Sequence, residues 1–204
     1  MISAPSVLVL ACGALVRELG EITRRNQLDN VTVECLPAIL HNRPDHIPDM
    51  VRARLDAAQG HYDRILVGYA DCGTGGRLAD VCREAGVEML DGAHCYQFYA
   101  GHQTFEDLHG DDPTAFYLTD YLTRHFDRLV LDGLGITEHP ELRHQYFGNY
   151  TKVIYLSQGQ DADLLARAKV AAQQLDLTFE HHPTGYGDLE PAVVHVAATT
   201  RSAS

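Results

Sequence analysis

The sequence predicts an α/β protein, read as a single-domain, Rossmann-like, doubly wound fold with a mostly parallel sheet of about five to six strands and a helical cap region. Three observations carry that expectation. Short runs rich in branched apolar residues alternate with amphipathic helical patterns, as in successive βαβ units. The 204 residues suit one α/β domain. The composition, 45% hydrophobic and 22% charged, is that of a chain able to bury a core.

The elements follow in order. Residues 6–11 form a first strand, and 14–27 a helix with Leu15, Leu19 and Ile22 on one face. Residues 31–36 are a second strand, and 47–58 a helix beginning near Pro44 and Pro48. A third strand spans 64–69, a helix about 77–85, and a short fourth strand 87–90. The middle, 95–147, reads as mainly helical, with breaks at 110–113 and at His139-Pro140. A strand over 152–156, a strong helix over 162–175 and a last strand over 177–181 complete the pattern. One domain over 1–204 is the simplest division, with 199–204 a small, polar, flexible tail.

Charge and cysteine usage narrow the function. Sixteen basic against 28 acidic residues give a net charge of −12, which disfavours nucleic acid and anionic membrane surfaces as partners. No apolar run approaches the roughly 20 residues of a membrane span, and the first residues lack the basic start of a signal peptide. Five cysteines without a CxxC pair read as reduced thiols, and the expected location is the cytoplasm.

In an open parallel sheet, ligands bind at the carboxyl ends of the strands. Cys12, Cys72 and Cys95 each lie just past a different strand, flanked by Gly or His, whereas Cys35 and Cys82 fall inside elements and read as buried apolar residues. Three thiols arriving from separate loops suit zinc, with one further ligand or an open position, or a [4Fe–4S] cluster with one iron free for substrate. His94 and His41 are the candidate fourth ligands or bases, and Asp71 beside Cys72 is a further acid–base candidate. The loop Gly73-Thr74-Gly75-Gly76 offers backbone N–H groups before a helix and is expected to bind a carboxylate or phosphate. Arg43 and Asn42 are placed to clamp an anionic substrate, and Tyr150 to contact it. His181-His182 read as solvent-facing.

Together, Cys12-Gly13-Ala14-Leu15, Leu40-His41-Asn42-Arg43-Pro44, Tyr69-Ala70-Asp71-Cys72-Gly73-Thr74-Gly75-Gly76 and His94-Cys95-Tyr96 resemble the landmark motifs of domain-of-unknown-function family 1638. Tyr121-Leu122-Thr123, His139-Pro140-Glu141-Leu142 and Phe147-Gly148-Asn149-Tyr150 extend the resemblance over about residues 6–182. Its members occur beside corrinoid-dependent methyltransferase genes, so the resemblance implies one-carbon or thiol-linked metabolism without assigning an activity. The leading expectation is a metal-dependent cytoplasmic enzyme (a transferase, lyase or hydrolase) acting on a small anionic substrate. Two alternatives stand beside it. One is a metal-free, racemase-like enzyme using a cysteine pair as acid and base. The other is a non-enzymatic accessory protein for a corrinoid methyltransferase. A homo-oligomer is compatible with each.

Overall fold

The computed structural model describes residues 4–111 and 114–198; the expected tail at 199–204 lies outside them, as does part of the expected break at 110–113. The chain is α/β with parallel strands throughout, and it divides into two compact units, 1–98 with 186–204, and 99–185. The strands accordingly form two sheets, of four and three, where the sequence suggested one sheet of five to six.

In the first unit the strands are β1 (Val7–Cys12), β2 (Val31–Leu36), β3 (Arg64–Gly68) and β4 (Glu88–Met89), in the order β2-β1-β3-β4. All of β1 is buried, which explains its unbroken apolar run: a central parallel strand has no solvent face. The chain moves from β1 to β2 through α1 (Val16–Arg25), then reverses across β1 to β3 through α2 (Ile47–Ala58) and continues to β4 through α3 (Arg77–Ala85). With right-handed crossovers, the reversal sets α1 on one face of the sheet and α2 with α3 on the other. The packing agrees, since α2 contacts α3 while α1 contacts α9 (Leu189–Ala198), a helix from the far end of the sequence that also lies on β1 and β3. No strand or helix was expected over 189–198. Its apolar residues Leu189, Val193, Val196 and Ala197 are buried, and Asn30 anchors its end by donating to the Ala197 carbonyl at 3.1 Å.

The β1–β3 pair is unusually close. Ala11 lies opposite Gly68, and a Cβ on Gly68 would come within 2.8 Å of the Ala11 Cβ.

The second unit carries β5 (Ala115–Leu118), β6 (Lys152–Ser157) and β7 (Thr178–Pro183) in that order, all parallel. The stretch 95–147 is mainly helical, as expected, but strand β5 within it was not foreseen. Its four residues sit among α4 (Cys95–Ala100), α5 (His102–Asp111), α6 (Asp120–Arg124), a π-helical turn at Asp127–Leu131 and α7 (Leu142–Phe147). A run so short has too little period-2 signal to stand out from that background. Helix α8 (Ala162–Leu175) starts where the Asp161 carboxylate accepts the N–H groups of Asp163 and Leu164, and ends at Asp176 in the left-handed conformation, φ 63°. The core gathers Leu118, Val153, Tyr155, Leu164, Ala168 and Leu175 with Phe126 and Phe147. Among the described residues no helix is long and apolar enough to cross a membrane.

Gly68→Ala is expected to lower unfolding stability by about 1–3 kcal/mol, because the new methyl group forces β1 and β3 apart in a close-packed interior. Urea denaturation of the variant beside the wild-type protein checks this.

Candidate functional site

The reversal of chain direction at β1 makes the carboxyl ends of β1 and β3 the topological switch point of the first sheet, and the thiols converge there. Cys12 is the last residue of β1. It caps the 3₁₀ turn Gly13–Leu15 through its sulfur, which accepts the Ala14 N–H at 3.3 Å. Gly13 permits this turn beside the outgoing end of β2: a Cβ on it would stand 3.0 Å from the Leu36 carbonyl oxygen. Cys72 lies past β3 with a left-handed backbone, φ 51°, and donates its N–H to the Ala93 carbonyl at 2.9 Å. Asp71 does the same toward Gly92 at 2.9 Å, so the loops after β3 and β4 are stitched together and bring Cys95, at the start of α4, to the same edge.

The sulfurs stand near enough to weigh on one another. Burial pushes the Cys12 thiol up to about 12, against the Ala14 amide, with Cys72 and Cys35 raising it further. Burial likewise takes Cys72 to about 11, opposed by backbone groups of Ala70 and Cys95. Cys95 is raised by burial, then by Cys72 and Cys12, and pulled back by its own amide and that of Tyr96. Each sulfur thus has a backbone group that favours its thiolate, inside a setting that otherwise keeps it a thiol.

His41 joins this group. Its Nδ1 lies 3.6 Å from the Cys12 sulfur and 3.2 Å from the Ala38 carbonyl. A carbonyl can only accept, so that contact places the proton on Nδ1 and leaves Nε2 with its lone pair. Desolvation holds the imidazole below its ordinary range, opposed by the Ala38 carbonyl and reinforced by His94, although the residue is exposed at the surface. The ring stacks on Tyr69, centroids 6.2 Å apart and planes at 14°.

The glycine loop takes another role than the expected anion cradle. The Asp71 carboxylate accepts the Thr74 hydroxyl at 2.8 Å and the N–H groups of Gly75 at 3.1 Å and Gly76 at 2.7 Å. Burial alone would raise this acid, but the Gly76 amide, the Thr74 hydroxyl and the Gly75 and Gly73 amides outweigh it and hold it below the usual carboxylate range. The loop's donors are occupied from within, and Asp71 acts as its internal cap, not as a free acid or base. Gly73 instead packs toward Pro44, with 3.6 Å from a would-be Cβ to the proline ring, so the loops after β2 and β3 are neighbours.

Asn42 and Arg43 are exposed on the loop after β2, and His94 is exposed beside Cys95 with its ring 6.3 Å from that of Tyr96. Tyr150 belongs to the second unit, where it packs edge-on against Phe116, centroids 5.8 Å apart. The structure therefore gathers Cys12, Cys72, Cys95 and His41, and places Tyr150 in the core of the other unit. Two residues beside the thiols were not singled out from the sequence: Tyr69, which reads as the last residue of a strand, and Cys35, which reads as core yet is only half-buried and weighs on Cys12.

All five cysteines are free thiols. Among the described residues no group of three or more His, Cys, Asp or Glu side chains is placed so that it could hold a metal ion as it stands. As donors, however, three neighbouring soft sulfurs with backbone amides directed at them fit a thiophilic metal, since N–H groups to sulfur are how proteins stabilise metal-bound thiolate.

The second unit has its own polar row at the same end of its sheet. Buried Asp120 accepts the Tyr155 hydroxyl at 2.6 Å and the Gln158 N–H at 3.1 Å, and lies 3.4 Å from Arg124. His181 stacks on Tyr155 at 5.3 Å and pairs with the Ser157 hydroxyl at 2.9 Å, and the residue is exposed, as the sequence suggested.

The molecule is thus a parallel α/β protein with a thiol cluster at the switch point of its first sheet. The sequence model of the family described as "Protein of unknown function (DUF1638)" matches residues 35–193, most of the chain, and the protein belongs to that family. No curated protein and no solved structure matches it.

The raised thiols have a consequence for stability. Cys12 ionises near 9.0 when unfolded and near 12 when folded, so its contribution to stability is full below the unfolded value and is lost as pH rises through that interval. The denaturation midpoint of the metal-free, reduced protein is expected to fall as pH rises from about 9 toward 12, and Cys12→Ala to flatten that fall.

Proposed function

We propose that Cys12, Cys72 and Cys95 hold a thiophilic metal centre, zinc or a [4Fe–4S] cluster, and that the protein is an enzyme that uses it on a small anionic substrate. The observation that carries this reading is the convergence of three thiols from three neighbouring parallel strands on one sheet edge, where Cys72 weighs on Cys12, and both weigh on Cys95. Such a centre supplies Lewis acidity, polarising a bound group or lowering the pKa of a bound thiol or water.

The chain's own residues have definable tasks around it. The three sulfurs lose their protons on coordination, and the amides of Ala14, Cys95 and Tyr96 stabilise the charge that remains. His41, neutral and protonated at Nδ1, presents Nε2 as a further ligand or as the acceptor of a substrate proton. Arg43 and Asn42, exposed on the loop after β2, are the donors for a substrate carboxylate or phosphate, the task the sequence also gave the glycine loop. Asp71 keeps the loop bearing Cys72 in shape by occupying its amides. Free thiols in this number call for a reducing compartment, and we place the protein in the cytoplasm.

The raised thiols weigh against the metal-free cysteine pair. That chemistry needs a resting thiolate, and burial keeps both Cys12 and Cys72 protonated near neutral pH. A metal removes the difficulty because coordination deprotonates a thiol outright.

Metal and acid-labile sulfide analysis of protein purified without oxygen tests the reading. The wild-type protein is expected to carry stoichiometric zinc, or iron with sulfide. Cys12→Ala, Cys72→Ala and Cys95→Ala should each lose most of it, while Cys82→Ala, altering a thiol buried within α3, keeps it. A wild-type protein that takes up neither zinc nor iron and sulfide after reconstitution overturns the reading.

A further inference from the structure

Tyr69 is the least explained group near the thiols. It follows the last residue of β3, and extending the Ala11–Gly68 register by one position sets it level with Cys12 on the neighbouring strand. The residue is 1% exposed, among the most buried large side chains in the protein. Its hydroxyl is shut off from water and has no hydrogen-bond partner. A phenol in that position costs free energy, because the partner it had in water has not been replaced. A phenylalanine would fill the same space and stack on His41 equally well, without that cost.

The surroundings indicate what the hydroxyl is for. Cys12, Cys72 and Cys35 all weigh on it, and its contact with the Cys12 sulfur acts on the ionisation of both groups as a side-chain hydrogen bond does, while falling short of hydrogen-bond geometry. A neutral thiol is a weak acceptor, and a thiolate a much stronger one. Among these three, Cys12 is the sulfur that also has the Ala14 amide and His41 beside it.

We propose that Tyr69 is a positioning residue whose O–H is held in readiness for the Cys12 sulfur and donates to it once that sulfur is a metal-bound thiolate. This rests on the metal reading above and adds to it a second donor, from a side chain, beyond the backbone amide of Ala14. Hydrogen bonds of this kind to a ligating atom alter metal affinity by roughly tenfold to a hundredfold, and they tune the electronic transitions of the metal–sulfur bond.

Cobalt(II) titration of the metal-free wild-type protein and of Tyr69→Phe tests it, read by the thiolate-to-cobalt charge-transfer band and paired with urea denaturation of both metal-free proteins. The expected result has opposite signs. Metal-free Tyr69→Phe should be at least as stable as the wild-type protein, because the orphaned hydroxyl is gone. Its cobalt affinity should fall by about tenfold or more, with a displaced charge-transfer band. A role in packing alone would weaken stability and leave the band in place. Unchanged affinity and an unchanged band in Tyr69→Phe overturn the inference and leave the metal reading standing. A wild-type protein with no charge-transfer band overturns both.

Discussion

The close approach of β1 and β3 is the constraint on which the first unit depends. Ala11 and Gly68 face each other with no room for a methyl group between them, and a strand pair held so tightly fixes its own register. Register then decides chemistry. A slip of one residue would turn Cys12 to the other face of the sheet and take it away from Tyr69 and His41. The same pairing places the reversal of chain direction between these two strands, so the switch point at their carboxyl ends arises from the winding of the sheet. The loops after β2, β3 and β4 need only short excursions to reach it, tied down by contacts such as Cys72 to Ala93.

The electrostatics at that sheet edge pull in two directions. Burial opposes ionisation of Cys12, Cys72 and Cys95, while backbone groups beside each sulfur favour it. On the proposed metal reading the two tendencies belong to two states of the sulfurs: thiols while the site is bare, thiolates once a cation has entered. The neutral imidazole of His41 belongs to the same logic, because a charged ring there would repel the cation and would have no lone pair to offer.

Much of the fold was legible in the sequence because the relevant signals are local. Helices at 47–58, 77–85 and 162–175 coincide with α2, α3 and α8, marked by proline near the start of α2, a glycine after α3 and an aspartate before α8. Strand β5 was hidden by its brevity, and α9 by a composition that is apolar with little periodicity. The division into two sheets could not be read at all, since strand order depends on contacts between residues far apart in the chain. The three cysteines could be found because each follows a strand. Tyr69 could not, because an aromatic residue at a strand end looks like core until its hydroxyl is seen to lack a partner. The glycine loop misled for a related reason: its free amides are apparent in the sequence, but the bonds that Asp71 makes to them from within the same loop appear only in three dimensions.

The path of the chain through its two units has a consequence for how the protein is made. The first unit is discontinuous, and α9, which lies on β1 and β3, is synthesised only after the whole of the second unit. Domains ordinarily fold in the order in which they leave the ribosome. Here that order is inverted, because residues 99–185 are complete while the central strands of the first unit still lack one of the two helices, α1 and α9, that share a face of the sheet. A nascent chain must therefore shield an apolar sheet face for the time it takes to translate nearly half the protein. The last helix is the closing piece of that face.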